Sequence, residues 1–189
     1  MITIRKATIN DASFIALVIA EALGDDIMER NSTSPCPHDE YRLRLLTDVA
    51  RTDGTLYSWR NTFIAENETG VSVGALVAYP GDEYIAMRKL TFSMLSELIN
   101  FNVSQMDAET GAGEYYIDSI AVVPEFRNRG IGKDLLRIGI SEAKRLQRPA
   151  ILAFAPENIG AKRIYESIGF THQGDMFIFG HNYMRMVVR

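Results

Sequence analysis

The 189-residue sequence is poor in cysteine and histidine, and it contains no long hydrophobic run. Its single cysteine, Cys36, cannot form an internal disulfide, which is typical of a protein kept in the reducing cytoplasm. The three histidines are scattered without metal-ligand spacing, so we expect no metal site. No segment approaches transmembrane length and the N-terminus lacks an apolar signal region, so we expect a cytoplasmic protein with no membrane partner.

Basic residues are slightly fewer than acidic ones, with 20 Lys and Arg against 24 Asp and Glu. The formal net charge is −4, and this acidic balance argues against a broad nucleic-acid-binding surface. Hydrophobic residues make up 47% of the chain and charged residues 23%, which is ordinary for a globular protein. The length predicts a single domain over residues 1–189 that can bury a sizeable core.

Hydrophobic patterning predicts helices and strands in an order typical of an α/β protein with a mixed sheet. Strands are predicted at Ile2–Ala7, Thr62–Glu66, Val71–Tyr79, Glu114–Val123, Ala150–Ala155, Thr171–Gly174 and Tyr183–Val188. Helices are predicted from Asn10 or Asp11 to Gly24, at 39–51, at Ile131–Leu146 and at Glu157–Ile168. The polar, turn-rich residues 24–38 predict a loop.

Residues 83–112 stand out as an insertion between two predicted strands. Apolar residues recur at nearly helical spacing over Glu83–Asn100, which predicts a helix, and Ser104–Ala112 is predicted to be a mobile loop. This insertion could be a lid or wall of a substrate pocket, and it could equally be a packing or dimerisation element.

The segment from Val122 to Lys133 carries the most information about function. An apolar strand runs into a proline, a basic turn with Arg127 and Arg129, and two glycines, and a helix follows at once. Free backbone N–H groups and the helix N-terminus then converge on one spot, which makes an anion site. Gly130 and Gly132 remove side chains where a phosphate must approach closely. The segment therefore predicts a pyrophosphate-binding turn.

Two better-known phosphate motifs do not fit this segment. A Walker-type loop needs glycine where Arg127 stands and Ser or Thr where Asp134 stands. A dinucleotide fingerprint needs a small residue at the position of Leu135. A nucleotide-binding module of either type is therefore disfavoured.

A second segment, from Ala155 to Phe170, completes a pair of motifs. Together the two segments resemble motifs A and B of the GNAT superfamily of N-acetyltransferases. Motif A, Arg/Gln-x-x-Gly-x-Gly/Ala, is matched by Arg127, Gly130 and Gly132. Motif B is matched at the usual spacing by Asn158, Ala161, Tyr165, Gly169 and Phe170. The motif-bearing part covers about residues 113–173.

The resemblance implies a fold and a cosubstrate. The fold would be a mixed, mostly antiparallel, splayed sheet flanked by helices, with an inserted helix around residues 83–100. The cosubstrate would be acetyl-CoA, with no metal. The implied acetyl-CoA-binding residues are Ile120, Ala121, Val122, Arg127, Asn128, Arg129, Gly130, Ile131, Gly132, Lys133, Asn158 and Ala161. Lys133 could instead be solvated, and Asn158 could instead be only a helix N-cap.

The same resemblance implies direct attack of an acceptor amine on the thioester, with Tyr165 as proton donor to the CoA thiolate. A tyrosine at this position could also be a core residue. Glu114, Tyr116 and Asp118 share one face by strand alternation. Asp118 is the expected general base, with Tyr116 or Glu114 relaying through water, although it could simply make structural hydrogen bonds. The acid that some members carry on the preceding strand is replaced by Ala153.

The acceptor is expected to be a primary amine of a small molecule or peptide. Asp25, Asp26 and Glu29 follow the first helix and could hold a cationic amine, or they could be solvated. The runner-up function is a catalytically silent CoA-binding sensor, which the missing acid at Ala153 favours. A homodimer is compatible with this pattern.

Overall fold

A computed structural model describes residues 1–28, 38–99 and 102–189 of the chain. One seven-stranded sheet runs through it in the order β1-β2-β3-β4-β5-β7-β6. Its strands are β1 Thr3–Lys6, β2 Thr62–Glu66, β3 Ser72–Pro80, β4 Tyr115–Val122, β5 Ala150–Phe154, β6 Thr171–Ile178 and β7 His181–Val188. Neighbouring strands are antiparallel except β4 and β5, which are parallel. The predicted mixed, mostly antiparallel sheet is confirmed.

Helices cover both faces of this sheet. They are α1 Ala12–Met28, α2 His38–Arg51, α3 Tyr84–Met94, α4 Ile131–Arg145 and α5 Ile159–Ser167. Helices α1 and α2 share a core with Val77, Tyr79 and Tyr116, whereas α4 packs against Leu76 and Ile117. Adjacent residues of a strand face opposite sides, so the two cores lie on opposite faces of the same strands. None of the described helices is long and apolar enough to cross a membrane.

Strands β4 and β5 separate after a short paired segment. They pair only from Tyr115 to Ile117, opposite Ala150 to Leu152. Beyond Ile117, β4 continues to Val122 against β3 alone. Because the two parallel strands diverge, the edge of β4 that faces β5 is left open there. This opening is the splay that the motifs imply.

A β-bulge sits on β4 at the start of the opening. Val77 of β3 lies opposite Ser119, and Ala78 lies opposite Ile117, so Asp118 is the extra residue. A bulge interrupts the strict alternation of side chains and re-aims the extra residue. Asp118 still lines the same cavity as Tyr116, as strand alternation predicts, and the bulge leaves it without a partner residue on β3.

Two element ends predicted at glycines are wrong. Helix α1 does not end at Gly24 but continues to Met28, so residues 24–28 of the predicted loop are helical. Residues 29–37 of that predicted loop lie outside the described part. Strand β6 does not end at Gly174, because that glycine sits at a register irregularity with φ 133° and the strand continues to Ile178. A glycine inside a strand pattern marked a bulge here rather than a stop.

The insertion is folded against the rest of the chain. Helix α3 ends at Met94, earlier than the predicted Asn100, and residues 95–98 form turns. Residues 104–112 are not a detached loop. The Asp107 N–H donates to the Phe177 carbonyl at 2.9 Å, and its carboxylate accepts the Phe177 N–H at 2.7 Å. Phe92 and Met106 pack with Met176 and Ile178 of β6.

Gly81, at the start of the insertion, allows the backbone at the other end of the insertion to approach closely. An added Cβ there would lie 2.2 Å from the Gly111 carbonyl oxygen and 2.6 Å from the Thr110 hydroxyl. The Gly81 N–H also donates to the Glu114 carbonyl at 2.9 Å. The backbone just before β4 is therefore held against the backbone just after β3.

Candidate active site

A cavity of about 600 Å³ lies in the opening between β4 and β5. Its lining comes from α1, from the exposed edge of β4, from the start of α5 and from the insertion. Gly132, Asn158 and Tyr165 contribute to it, and so do Tyr116 and Asp118. Residues of both sequence motifs and the acidic face of β4 are thus brought to one cavity.

The turn before α4 offers a set of unused backbone donors. Asn128 and Gly130 have left-handed φ values of 60° and 83°. None of the N–H groups of residues 128–133 donates to another described residue, whereas the Asp134 N–H already bonds the Gly130 carbonyl. A Cβ on Gly132 would meet only Val122, at 4.0 Å, so the space beside this glycine is open. Unused N–H groups at a helix N-terminus suit a phosphate.

The basic side chains of the turn are directed toward the protein. The Arg127 Nε donates to the Val122 carbonyl at 2.9 Å, and its Nη2 meets Glu21 at 2.8 Å. Arg129 donates to the Glu125 carbonyl at 2.8 Å and lies over the Phe126 ring. Lys133 is half-buried on α4 and has no ion-pair partner among the described residues. Arg127 and Gly132 line the cavity itself, whereas Asn128, Arg129, Gly130, Ile131 and Lys133 of the same turn are not among its lining residues. Ile131 is only 2% exposed and packs in the core beneath α4.

The remaining motif residues line the cavity walls. Ile120, Ala121 and Val122 are half-buried on the open edge of β4. Asn158 caps α5, because its Oδ1 accepts the Ala161 N–H at 3.0 Å. Its amide nitrogen has no partner among the described residues, so capping leaves this donor available to a ligand.

Tyr165 is half-buried at the junction of α5 with the sheet. Its ring packs edge-on against Phe154 at 5.4 Å and Phe170 at 6.0 Å between ring centroids. Burial raises the pKa of Tyr165 to about 12. No described residue hydrogen-bonds its hydroxyl, which is therefore protonated at neutral pH and free to donate into the cavity.

Asp118 is held by two hydroxyl groups. Tyr79 donates to its Oδ2, and Ser119 donates to its Oδ1 at 2.8 Å. Burial raises the pKa of Asp118 above its ordinary value, while the two hydroxyl donors act in the opposite direction. The carboxylate is thus oriented from both sides at the edge of the cavity.

Glu109 of the insertion forms a second carboxylate site beside Asp118. Tyr84 donates to its Oε1 at 3.0 Å, and Tyr116 donates to its Oε2 at 2.8 Å. Glu109 is only 6% exposed, and it lines the cavity. Burial, and next the charge of Asp118, raise the pKa of Glu109 to about 7. Tyr116 therefore donates directly to Glu109, while its predicted relay to Asp118 through water stays a prediction.

Glu114 does not join the site, so its predicted grouping with Tyr116 and Asp118 is wrong. It precedes β4, and it accepts from Arg185 on one oxygen and from the Thr110 hydroxyl and the Gly111 N–H on the other. Strand alternation does not apply to a residue that lies before the strand begins. Ala153 lines the cavity, at the position where some family members carry an acidic residue.

Sequence reasoning missed Glu109 together with four tyrosines around it: Tyr57, Tyr79, Tyr84 and Tyr183. Glu109 has no periodic pattern or motif around it in the sequence, so no local signal could have identified it. Asp25 and Asp26 are predicted to follow the first helix, but they lie within α1, and their side chains are outside the described part. Glu29 lies outside the described residues. The described residues contain no cluster of three or more potential metal ligands.

Comparison with solved structures supports the fold. The chain is similar to an N-acetyltransferase from Staphylococcus aureus Mu50, with a TM-score of 0.81 and 22% identity over 98% of this chain and 100% of that one. A second structure, described as an acetyltransferase, has a TM-score of 0.78 and 26% identity over 98% and 97% of the two chains. A chain of the NatC complex bound to Gag peptide and CoA aligns with a TM-score of 0.53 and 19% identity over 99% and 97%. No curated protein sequence matches the chain.

The family model for the acetyltransferase (GNAT) family matches residues 25–170. This range contains both motifs, the open edge of β4 and the insertion. The chain therefore belongs to the GNAT acetyltransferase family.

Proposed function

We propose that the protein transfers the acetyl group of acetyl-CoA to a primary amine of a small molecule or peptide by direct attack. The observation that carries this proposal is the single cavity that joins the turn before α4 to the carboxylates of Asp118 and Glu109. A cavity with unused phosphate donors at one end and acids at the other suits two substrates that meet in the middle.

The cosubstrate end is suited to a long, anionic and partly peptide-like molecule. The unused N–H groups of residues 128–133 would bind the pyrophosphate, and the N-terminus of α4 would favour its negative charge. Ile120, Ala121 and Val122 would pair with the amides of the pantetheine arm as an added strand pairs with a sheet edge. Asn158 would donate its free amide N–H to the same arm, while Ala161 leaves room beside it.

The reaction needs the amine to lose its proton before attack. The nitrogen then forms a bond to the thioester carbon, and the carbon–sulfur bond breaks. Asp118 is the base predicted from the sequence, and its position on the bulge places its carboxylate at the cavity. The backbone N–H groups near Ile120 and Ala121 would stabilise the developing oxyanion.

Tyr165 is proposed to protonate the departing thiolate. Its hydroxyl lines the cavity without a protein partner among the described residues, and its raised pKa keeps the proton on oxygen until the thiolate forms. Its aromatic neighbours Phe154 and Phe170 hold the ring in place. A positioned acid of this kind contributes on the order of 10²-fold to a rate.

The alternative is a CoA-binding sensor without turnover, which the alanine at position 153 favours. Thiol release from acetyl-CoA, measured with a panel of primary amines, separates the two functions. We expect amine-dependent release by the native protein. Tyr165→Phe should lower kcat on the order of 10²-fold with CoA affinity unchanged, and Tyr41→Phe on α2 is the matched control outside the cavity. Binding of CoA without release for any amine would favour the sensor.

A further inference from the structure

We infer that the inserted segment between β3 and β4 supplies the acceptor site, where Glu109 binds the ammonium group of a cationic amine and takes its proton. This inference rests on the proposed acetyl transfer. Glu109 would then both hold the cationic amine, a role predicted for the acidic residues after the first helix, and act as the general base, a role predicted for Asp118.

Glu109 has the geometry of a ligand-binding carboxylate rather than a structural one. It is 6% exposed, and its two oxygens accept from Tyr84 and Tyr116. Each carboxylate oxygen has two lone pairs, so each can still accept a further hydrogen bond. Because Glu109 also lines the cavity, an ammonium group can reach these unused positions.

The carboxylates have no counter-charge of their own. Neither Glu109 nor Asp118 forms a salt bridge with any of the described residues. Arg88 is the nearby cation, but its guanidinium donates to the carbonyls of Asp107 and Val103 instead. Buried acids are ordinarily paired. A bound cation would supply the charge that the protein leaves out.

A separate feature also points to a ligand at this end of the cavity. Tyr57 is only 2% exposed and lines the cavity, yet its hydroxyl has no hydrogen-bond partner among the described residues. Tyr183 and Phe179 complete the wall with aromatic surface. Aromatic faces attract ammonium groups, and the unpaired hydroxyl oxygen of Tyr57 can accept a hydrogen bond from an ammonium N–H.

Glu109 suits proton transfer better than Asp118 because the two acids have different surroundings. Asp118 is fixed by Tyr79 and Ser119. Burial first, and next the negative charge of Asp118, raise the pKa of Glu109. Glu109 then has a pKa of about 7, so it is deprotonated often enough to take a proton at neutral pH. The groups that face it are Asp118 and Tyr116 from β4, Tyr84 and Arg88 from α3, and Tyr57, Tyr79 and Tyr183 from neighbouring segments.

The proton balance is simple. The acceptor enters as R–NH₃⁺, and one proton passes to the Glu109 carboxylate and from there to solvent. The free amine attacks the thioester, a carbon–nitrogen bond forms and the carbon–sulfur bond breaks. The second nitrogen proton replaces the one that Tyr165 gives to the thiolate. The products are the acetamide and CoA thiol.

Glu109→Gln tests the proton-transfer role. The amide keeps the shape and can still pair with both tyrosines, so we expect the fold and the stabilisation by CoA to be retained. At pH 7, kcat/KM should fall on the order of 10²–10⁴-fold. Glu83→Gln is the matched control, because Glu83 is an exposed acid of the same insertion. Glu109→Asp, which keeps a carboxylate, should recover part of the loss.

The pH profile separates proton transfer from structural damage. The native kcat/KM should rise as Glu109 ionises around pH 7 and level off above that pH. The variant must capture free amine, so its rate should keep rising, and its deficit should shrink as pH approaches the pKa of the amine. A deficit that is constant with pH, or no deficit in Glu109→Gln, would overturn the proposed proton transfer.

Binding of a simple cation tests the ammonium site without turnover. With CoA bound, n-butylammonium chloride should raise the melting temperature of the native protein, and the neutral 1-butanol should not. Glu109→Gln should lose this increment and retain the one due to CoA. Equal effects of the two probes would overturn the ammonium site, whereas failure of CoA to bind would overturn the proposed function instead.

Discussion

Arg127 connects the turn before α4 to helix α1, because its Nη2 lies 2.8 Å from the Glu21 carboxylate. The same guanidinium donates through Nε to the carbonyl of Val122, the last residue of β4. Arg127 therefore links the turn before α4 to both α1 and β4 beside the cavity, and this set of contacts is called the Arg127 brace. The contacts with Val122 and Glu21 explain the orientation of the Arg127 side chain without a direct contact to a phosphate.

This brace predicts a small effect when its ion pair is removed. Both side chains of the pair are about half exposed, at 47% and 59%, and exposed pairs contribute about 0.2–1 kcal/mol. Glu21→Gln should weaken CoA binding less than about fivefold. Arg127→Ala should do more, since it also frees the Val122 carbonyl. Calorimetric titration of CoA measures both, and equal effects would contradict the brace.

The two motif glycines should respond differently to alanine. Gly130 has φ 83°, so Gly130→Ala should cost about 1–2 kcal/mol of folding stability. At Gly132 the new methyl has only Val122 within reach, at 4.0 Å, so the free protein should melt normally. That methyl enters the space left for phosphate, and CoA affinity should fall at least tenfold. Denaturant melts and CoA titrations check the pair; unchanged CoA binding by Gly132→Ala would contradict the site.

A second glycine pair tests the placement of the insertion. Gly81→Ala puts a methyl 2.2 Å from the Gly111 carbonyl oxygen, so the 110–111 backbone must move and carry Glu109 with it. Overpacking of this kind costs about 1–3 kcal/mol. Acceptor KM should rise with CoA affinity unchanged. Gly111→Ala is the control, since nothing lies within 4 Å of its added Cβ. An acceptor KM that moves equally in both variants would contradict this placement.

The acid stability of the fold should depend on Asp11. Arg5 donates two hydrogen bonds to its carboxylate and, with backbone and hydroxyl donors from Thr8, lowers the pKa of Asp11 to about 2. The unfolded value is about 3.9, so this stabilisation is present above that pH and is lost as pH falls toward 2. Asp11→Asn should cost about 1–3 kcal/mol at pH 6.

Denaturant unfolding of both proteins between pH 6 and pH 2 measures this dependence. The gap between the native protein and Asp11→Asn should narrow on the acid side. A gap that keeps its size at pH 2 would show that the asparagine fails for a reason other than charge.

Local patterns predicted most of the fold because each element carries its own signal. The strand order around the motifs, the hairpin at Asn67–Gly70 and the helix after Gly130 follow from periodicity and turn chemistry. Gly24 and Gly174 misled because a glycine can stop an element or bend it, and only packing decides between the two.

The candidate site also has residues that local patterns predict and one residue that they do not. Asn158, Gly132 and Tyr165 line one cavity, because motif spacing fixes their places on a turn and a helix. Glu109 reaches the cavity only because Gly81 and Asp107 hold its segment across the sheet. Such long-range contacts leave no periodic trace in the chain, so the place of Glu109 at the cavity could not be predicted from the sequence.

Thermal unfolding with acetyl-CoA, CoA, ATP and NAD at matched concentrations tests the central claim most directly. A ligand at about 100 times its dissociation constant adds roughly 2.7 kcal/mol to the stability of the folded state. We predict a clear upward shift with acetyl-CoA and with CoA, and no comparable shift with NAD or ATP. A shift with NAD or ATP alone, or with none of the four, would contradict the assignment of this cavity to acetyl transfer.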